Sequence, residues 1–279
     1  MKFSLIIPYH GNICQLDRLL ASVPLRSDLQ VITINDEQRN GAGWARNQGL
    51  AQAIGEYIFF ADSDDWFLPT INNVLDSITN DVADIIYFNA TAKEESSGKP
   101  SWRTNRLNWM MKQSDSRRNF LLRHTFTEPW CHIIKRSFIE KNGIRFDETP
   151  ILNDVTFITQ AGYYAKNIAV YNIQAYCVCN RDGSTAKRRS NECLLAYTEV
   201  MAKVNFFNKT HSVSYYQARM MRPFYYSIIH GDIRLAKQCF HAIKQAGFTT
   251  LDFIKYAITY PIYLTCWIYR KKCHKRATK

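Results

Sequence analysis

Apolar residues in the first third of the chain come in short unbroken runs, each closed by polar ones. Lys2–Pro8 (KFSLIIP) has a continuous apolar centre, and Leu29–Ile34 (LQVITI) is a second such run, ending in Asn35-Asp36. A third, Ile58-Phe59-Phe60, leads directly into Asp62-Ser63-Asp64-Asp65. Runs of this length bounded by turn-forming residues read as buried strands. Between them, Gln15–Val23 and Ala45–Ile54 read as helices, and Gly55 stands where a C′ glycine would end the second. Strand and helix in alternation predict an α/β fold, a mainly parallel sheet flanked by helices.

The pattern changes twice further on. Residues 92–118 lose strand periodicity and collect Ser, Lys and Arg, which predicts a mobile excursion. Asn153–Ile158 opens a helical run to about Tyr164, with Asn153 as its N-cap and Asp154 in the first turn. From Asn191 onward the pattern is helical, with breaks near His211, Gly231 and Gly247. Val204, Phe206, Phe207, Tyr215, Tyr216, Phe224 and Tyr225 are too many apolar and aromatic residues for a solvated tail. At 279 residues and 46% hydrophobic, the chain can bury a substantial core. The expected organisation is one α/β domain over 1–190, with halves at 1–90 and 120–190, and a helical appendage over 191–279.

Open α/β sheets bind ligands at the carboxyl ends of their strands. Three such ends converge here: Pro8-Tyr9-His10, Asn35-Asp36 and Asp62-Ser63-Asp64. Asp62, Asp64 and Asp65 put like charges within four residues, which favours a hard cation, Mg²⁺ or Mn²⁺, with positions left for phosphate oxygens. The same string also fits an acidic helix cap or turn. Together with Arg46 near a helix start, the carboxylates suit a uridine or other nucleoside diphosphate. Asp36 would bond base or ribose, and Arg46 base or diphosphate. The glycine-bearing loop Asn40–Gly49 matches neither G-x-G-x-x-G nor G-x-x-x-x-G-K-[ST], so neither a dinucleotide nor a P-loop site is supported. Asp154, ionised by the helix dipole, can accept a proton; ordinary first-turn charge complementarity explains the same residue.

These segments resemble the family 2, GT-A fold (Rossmann-like) glycosyltransferases, bacterial enzymes of surface-polysaccharide synthesis among them. The matching pieces are SLIIPYHGN, VITIND, GAGWARNQGLAQAIGEYIFFADSDDWFLP and ILNDVTF. The third is a long composite in fixed order, far more specific than an aspartate cluster. The resemblance implies a nucleotide-sugar donor, a UDP-sugar first, and a divalent metal (Mn²⁺ or Mg²⁺) on Asp64 and Asp62. It implies donor contacts from Pro8, Tyr9, Asp36, Arg46, Asp62, Ser63 and Asp65, and Asp154 as general base in an inverting displacement. Arg181, with Ser184 and Thr185, matches a loop that closes over the donor diphosphate; an Asp-Gly turn explains it equally. Trp130 and His132 fall in the stretch beside the acceptor, where a core tryptophan and a structural histidine are the competing readings. The chain departs from the pattern at Asn35-Asp36-Glu37-Gln38, where two aspartates and Gly-Ser are frequent, and at Asn153-Asp154, where Glu-Asp is usual.

Charge adds a partner. The formal net charge is +12, and half of that excess lies beyond Leu251, where Lys255, Arg270, Lys271, Lys272, Lys275, Arg276 and Lys279 face one acid, Asp252. Tyr256–Tyr269 before that cluster is uncharged; as a helix it would be about 21 Å long, short of the roughly 30 Å hydrocarbon core of a bilayer. The expected element is an interfacial helix whose basic end meets anionic lipid, or an amphipathic helix packed on the domain with a frayed tail. Such contact suits a glycan acceptor carried on polyprenyl diphosphate, in capsule, O-antigen or lipooligosaccharide synthesis. Scattered cysteines without a C-x₂-C pair, and a first strand beginning at Lys2, predict a reducing compartment and a protein peripheral to the inner face of the cell membrane. Two rival readings are a sugar nucleotidyltransferase, which would release pyrophosphate, and a basic nucleic-acid-binding protein. No nucleic-acid motif accompanies the charge, so no nucleic-acid partner is expected.

Overall fold

The computed structural model describes residues 1–79, 83–181, 190–213 and 218–261. They belong to two units, Met1–Lys187 and Arg188–Lys279.

In the first unit β1 (Phe3–Tyr9) lies between β2 (Leu29–Asn35) and β3 (Tyr57–Phe60), parallel to both. The crossovers are α1 (Ile13–Ser22) and α2 (Ala42–Gln52). Phe3, Leu5, Ile6 and Ile7 of β1 and every residue of β3 are buried, which is why these strands read as unbroken apolar runs rather than alternating ones. Then follow β4 (Trp66–Phe67), α3 (Ile71–Ser77), β5 (Ile85–Glu94), α4 (Trp102–Met111), α5 (Asp115–His124), β6 (His132–Lys135), α6 (Arg136–Lys141), α7 (Val155–Tyr164) and β7 (Ile168–Asn180). The seven strands form one sheet in the order β2-β1-β3-β6-β5-β7-β4. β6 runs antiparallel to β3 and β5, and β4 antiparallel to β7; the other pairings are parallel. The sheet is thus mixed rather than mainly parallel: β6 joins the two halves antiparallel to both, and β4 reverses at the edge. Phe60 meets Phe146 and Phe157 edge-on, and those two rings stack 4.0 Å apart beneath the carboxyl ends of the strands.

Three local expectations are corrected. Gly55 does not cap α2, whose C-cap is Ala53. It lies where a Cβ would come within 2.5 Å of the Phe3 carbonyl carbon, and its N–H donates to Ser4 Oγ at 2.8 Å, so close backbone approach requires glycine. Residues 92–118 are not an excursion: β5 continues to Glu94 against β7, and α4 starts at an N-cap, Ser101, whose Oγ accepts from Arg103 N. The polar composition concealed helical spacing in Leu107, Met110 and Met111, all buried. Asn153 is not the N-cap of α7, a position held by Asp154 without a side-chain capping bond.

The second unit is helical: α8 (Asn191–Thr210), a 3-10 turn (Ala218–Met221), α9 (Arg222–Ile229), α10 (Ile233–Gln245) and a helix over 250–261. The chain reverses at Ser212, Gly231 and Gly247, all with left-handed backbone. Phe206 packs edge-on against Phe248, and Phe224 against Phe253. Tyr215, Tyr216 and the segment from 262 to 279, with most of the basic cluster, lie outside the described residues.

Candidate active site

The site is assembled where β1, β2 and β3 end. Pro8 is buried, and Tyr9 accepts a hydrogen bond at its carbonyl from Asp36 N at 3.0 Å. The Asp36 carboxylate turns back into its own loop: Oδ1 accepts from Asn40 N at 2.8 Å and Oδ2 from Gly41 N at 2.6 Å. Gly41 has φ +101°, a left-handed value that glycine adopts freely. Asp36 is 5% exposed, and its bonds shape the turn that launches α2.

The acidic string divides by environment. Asp62 and Asp64 reach solvent, their side chains 34% and 20% exposed, with part-exposed Ser63 between them. Asp65 is enclosed, accepting from the Tyr176 hydroxyl at 2.8 Å and from Cys179 N at 2.7 Å. The same hydroxyl accepts from Asp62 N at 2.9 Å, so Tyr176 on β7 fixes both ends of the string. Burial, then Asp62 and Asp64, push the Asp65 carboxyl well above the ordinary range. Burial and Asp62 also raise that of Asp64, against the pull of Arg181. Asp65 is therefore an anchor for β7, whereas Asp62 and Asp64 are the pair available to a ligand.

Arg46 joins this motif to a segment over a hundred residues away in sequence. From α2, buried against the Phe146 ring, it donates from Nη2 to Asp62 Oδ1 at 2.6 Å and from Nη1 to Asn153 Oδ1 at 2.7 Å. Both terminal nitrogens of Arg46 are thus engaged by protein groups. α2 comes so close to the same segment that a Cβ on Gly43 would lie 1.9 Å from the Asp147 carbonyl oxygen. Leu152 turns the chain with a left-handed φ of 57° just before Asn153-Asp154. Asp154 is half-buried, and its carboxyl is pushed up to about 7 by desolvation, with Arg46 opposing and Glu128 and Asp62 adding to the rise. It thus lies within electrostatic reach of the first motif, and a carboxyl poised near neutrality suits a general base.

Other expected contacts fall elsewhere. Trp130 is buried and stacked on Tyr176, 5.9 Å between centroids. His132 is fully enclosed beside Tyr87 and Phe126, its Nδ1 3.0 Å from the Trp130 carbonyl oxygen, and burial lowers its pKa to about 4. Neither ring is presented to an acceptor; both belong to the core. Arg181 pairs with Asp64 through Nε at 2.9 Å and donates to Gln15 Oε1 at 3.2 Å. Ser184 and Thr185 lie outside the described residues. Sequence reasoning missed Tyr176, Asn153 as the partner of Arg46, and Glu128, which Arg106 holds at 2.6 Å. Asn153 lies in the ILNDVTF stretch, but nothing there marks its partner, and no motif marks Tyr176 or Glu128, since each acts through a partner distant in sequence.

Among the described residues no group of three or more His, Cys, Asp or Glu side chains is arranged to hold a metal. Asp62 and Asp64 fit the other kind of site, in which one or two carboxylates and substrate phosphates share a Mg²⁺-like ion.

Residues 15–143 match the family described as Glycosyl transferase family 2. The cholesterol galactosyltransferase of Borreliella burgdorferi is 25% identical over 252 residues, covering 80% of this chain and 68% of that protein. The uncharacterized glycosyltransferase YibD of Escherichia coli K12 is 27% identical over 192 residues, 59% of this chain and 52% of its own. The match to Bacillus subtilis EpsH, 26% identical over 148 residues, spans half of this chain and 42% of that protein. Among solved structures, S. aureus TarS residues 1–349 in complex with UDP-GlcNAc superposes with TM-score 0.58 at 17% identity, covering 89% of this chain and 93% of that one.

Proposed function

Since the chain belongs to glycosyl transferase family 2 and has the GT-A fold, we propose that it transfers a sugar from a nucleotide-sugar donor, a UDP-sugar, to a lipid-linked glycan with inversion at the anomeric carbon. The observation that carries this reading is the double hydrogen bond of Arg46, which holds the solvent-reaching aspartates and the Asp154 segment in one corner.

In this reading the donor lies at the ends of β1 and β3, beside Tyr9, Ser63 and Arg181. Asp64, with Asp62, would hold Mg²⁺ or Mn²⁺, which supplies charge neutralisation to the departing diphosphate. Asp154 takes the proton from the acceptor hydroxyl as its oxygen bonds to the anomeric carbon. The bond from that carbon to the diphosphate oxygen breaks with its electron pair, and the nucleoside diphosphate leaves. Attack opposite the leaving group inverts configuration. Arg181, paired with Asp64, is positioned to reach the diphosphate. The UDP-GlcNAc bound to TarS supports the donor class, and the galactosyltransferase relative, whose name gives cholesterol as acceptor, supports a lipid-borne one.

The second unit supports action at a membrane surface in capsule, O-antigen or lipooligosaccharide synthesis. The helix over 250–261 exposes Leu251, Ile254 and Ile258, an apolar stripe at helical spacing that leads towards the basic tail. Among the described residues no helix is long and apolar enough to cross a membrane. The exposed stripe and the basic tail support our proposal that the protein acts at the inner face of the cell membrane.

A panel of sugar nucleotides offered with Mn²⁺ or Mg²⁺ tests the proposal. The expected product is a nucleoside diphosphate, formed only with metal and lost in Asp154→Ala. Pyrophosphate instead would identify a nucleotidyltransferase.

A further inference from the structure

The pair of helices α4 and α5 bears side chains for which the site has no use. Their inner faces are accounted for: Leu107, Met110 and Met111 of α4 and Leu122 of α5 are buried, with α4 against β5 and α5 against α7. The outer face is not what water alone would select. Trp102 is 61% exposed, Trp109 46% and Phe120 38%. Trp102 and Trp109 are two helical turns apart and share one side of α4.

Cations are interleaved with these rings. The Arg103 guanidinium stands 5.9 Å from the Trp102 ring and that of Arg117 5.5 Å from the Trp109 ring. Arg106 and Arg118 are neutralised by Glu128 and Asp115. Arg103, Lys112 and Arg117 have no ion pair among the described residues. Indole rings flanked by unpaired Lys and Arg suit the headgroup layer of a bilayer, where the ring is half in hydrocarbon and the cations meet lipid phosphate. A second copy of a chain with net charge +12 would bring like charge to this face.

We propose that the α4–α5 pair is a membrane-contact surface of the catalytic unit itself, seating Trp102, Trp109 and Phe120 among the headgroups of an anionic bilayer. The proposal deepens the lipid-borne acceptor reading and rests on it for its purpose. Between the two indoles, at i+4 from Trp102 and i−3 from Trp109, stands Arg106, which holds Glu128.

The test uses the full chain with Trp267→Phe, so that no tail tryptophan reports. This parent and its Trp102→Gln/Trp109→Gln derivative are mixed with phosphatidylglycerol vesicles carrying brominated acyl chains, and with neutral phosphatidylcholine vesicles of the same kind. The expected result is quenching of the parent by the anionic vesicles only, falling by more than half in the derivative, whose thermal unfolding and transfer to a water-soluble acceptor match the parent. Equal quenching in both proteins overturns the contact. So does light scattering that finds a dimer in the parent and a monomer in the derivative, or oligonucleotide binding lost with the tryptophans. If the quenching behaves as expected but a lipid-linked acceptor is never turned over, the acceptor reading fails while the contact stands. If that acceptor is turned over while quenching is equal in both proteins, the acceptor reading stands and the contact fails.

Discussion

Arg46 Nη2 stands 2.6 Å from Asp62 Oδ1, and this ion pair fixes the geometry of the whole corner. A buried guanidinium has given up water and must be paired, and the other terminal nitrogen of Arg46 is spent on Asn153. The strand-end carboxylates and the base segment are thus positioned by one side chain. Arg46→Ala should lower unfolding free energy by roughly 3 kcal/mol, the low end for a broken buried pair because Asp62 retains contact with water. Arg46→Lys keeps the charge but cannot span both partners, so it should hold more of the stability and still lose transfer. Urea unfolding alongside kcat separates the two effects. A lysine variant with wild-type kcat would show that the corner forms without the double bond of Arg46.

Asp64 and Asp65 are adjacent in sequence and opposite in role. Asp64→Ala removes a carboxyl that burial and Asp62 already disfavour as a charge, so stability should hold or rise while Mn²⁺ and donor binding collapse. Asp65→Ala strips the acceptor from Tyr176 Oη and Cys179 N, both enclosed, and should cost about 1–3 kcal/mol for each donor left unsatisfied. Calorimetric Mn²⁺ titration and urea midpoints on both variants check this. An unchanged midpoint for Asp65→Ala would show that the anchor is dispensable.

Strands β1 and β3 were legible because burial on both faces leaves unbroken apolar runs, and their carboxyl ends carry the chemistry on adjacent residues. Legibility stopped where position depends on partners far along the chain. The D-S-D-D string offers equivalent carboxylates, and it is Tyr176 and Cys179 of β7 that make Asp65 an anchor. The bonds of Asp36 to Asn40 and Gly41, which shape its own loop, have no mark in the sequence. Trp130 and His132 fit a sugar site or a core equally well in composition, and burial assigns them to the core. Residues 92–118 misled because Ser, Lys and Arg on the outer sides of α4 and α5 outnumber the few inward positions that define a helix.

Asp154 should set the pH dependence of transfer. Its carboxyl is pushed up to about 7, chiefly by desolvation, and a base must be ionised to accept a proton. kcat/KM should therefore rise about tenfold per pH unit below 7 and level off above it. Stability runs the other way. The folded value lies above the unfolded 3.8, so the neutral form is favoured by folding, and this contribution is complete below pH 3.8 and lost as pH rises through 7. Asp154→Asn should abolish transfer yet gain thermal stability over wild type progressively between pH 4 and 7, and by a constant margin above. A margin independent of pH would mean that Asp154 does not titrate in this range.

Gly43 tests whether the two halves must meet as closely as they do. In isolation Gly→Ala within a helix gains about 1 kcal/mol, so propensity alone predicts a more stable protein. Here the added methyl would stand 1.9 Å from the Asp147 carbonyl oxygen and 2.9 Å from Asn153 Cβ. The nearest of these atoms is backbone, and overpacking of this kind costs about 1–3 kcal/mol, so sterics should cancel or exceed the propensity gain. The segment that yields carries Asn153 and Asp154, and its retreat would stretch the Arg46–Asn153 bond and draw the base from the acceptor. Gly43→Ala should thus unfold near the wild-type midpoint but lose tenfold or more in kcat, with donor KM little changed because Asp62 and Asp64 lie outside the displaced segment. Wild-type kcat in a folded Gly43→Ala protein would show that the base segment reaches its working position without the close approach of α2.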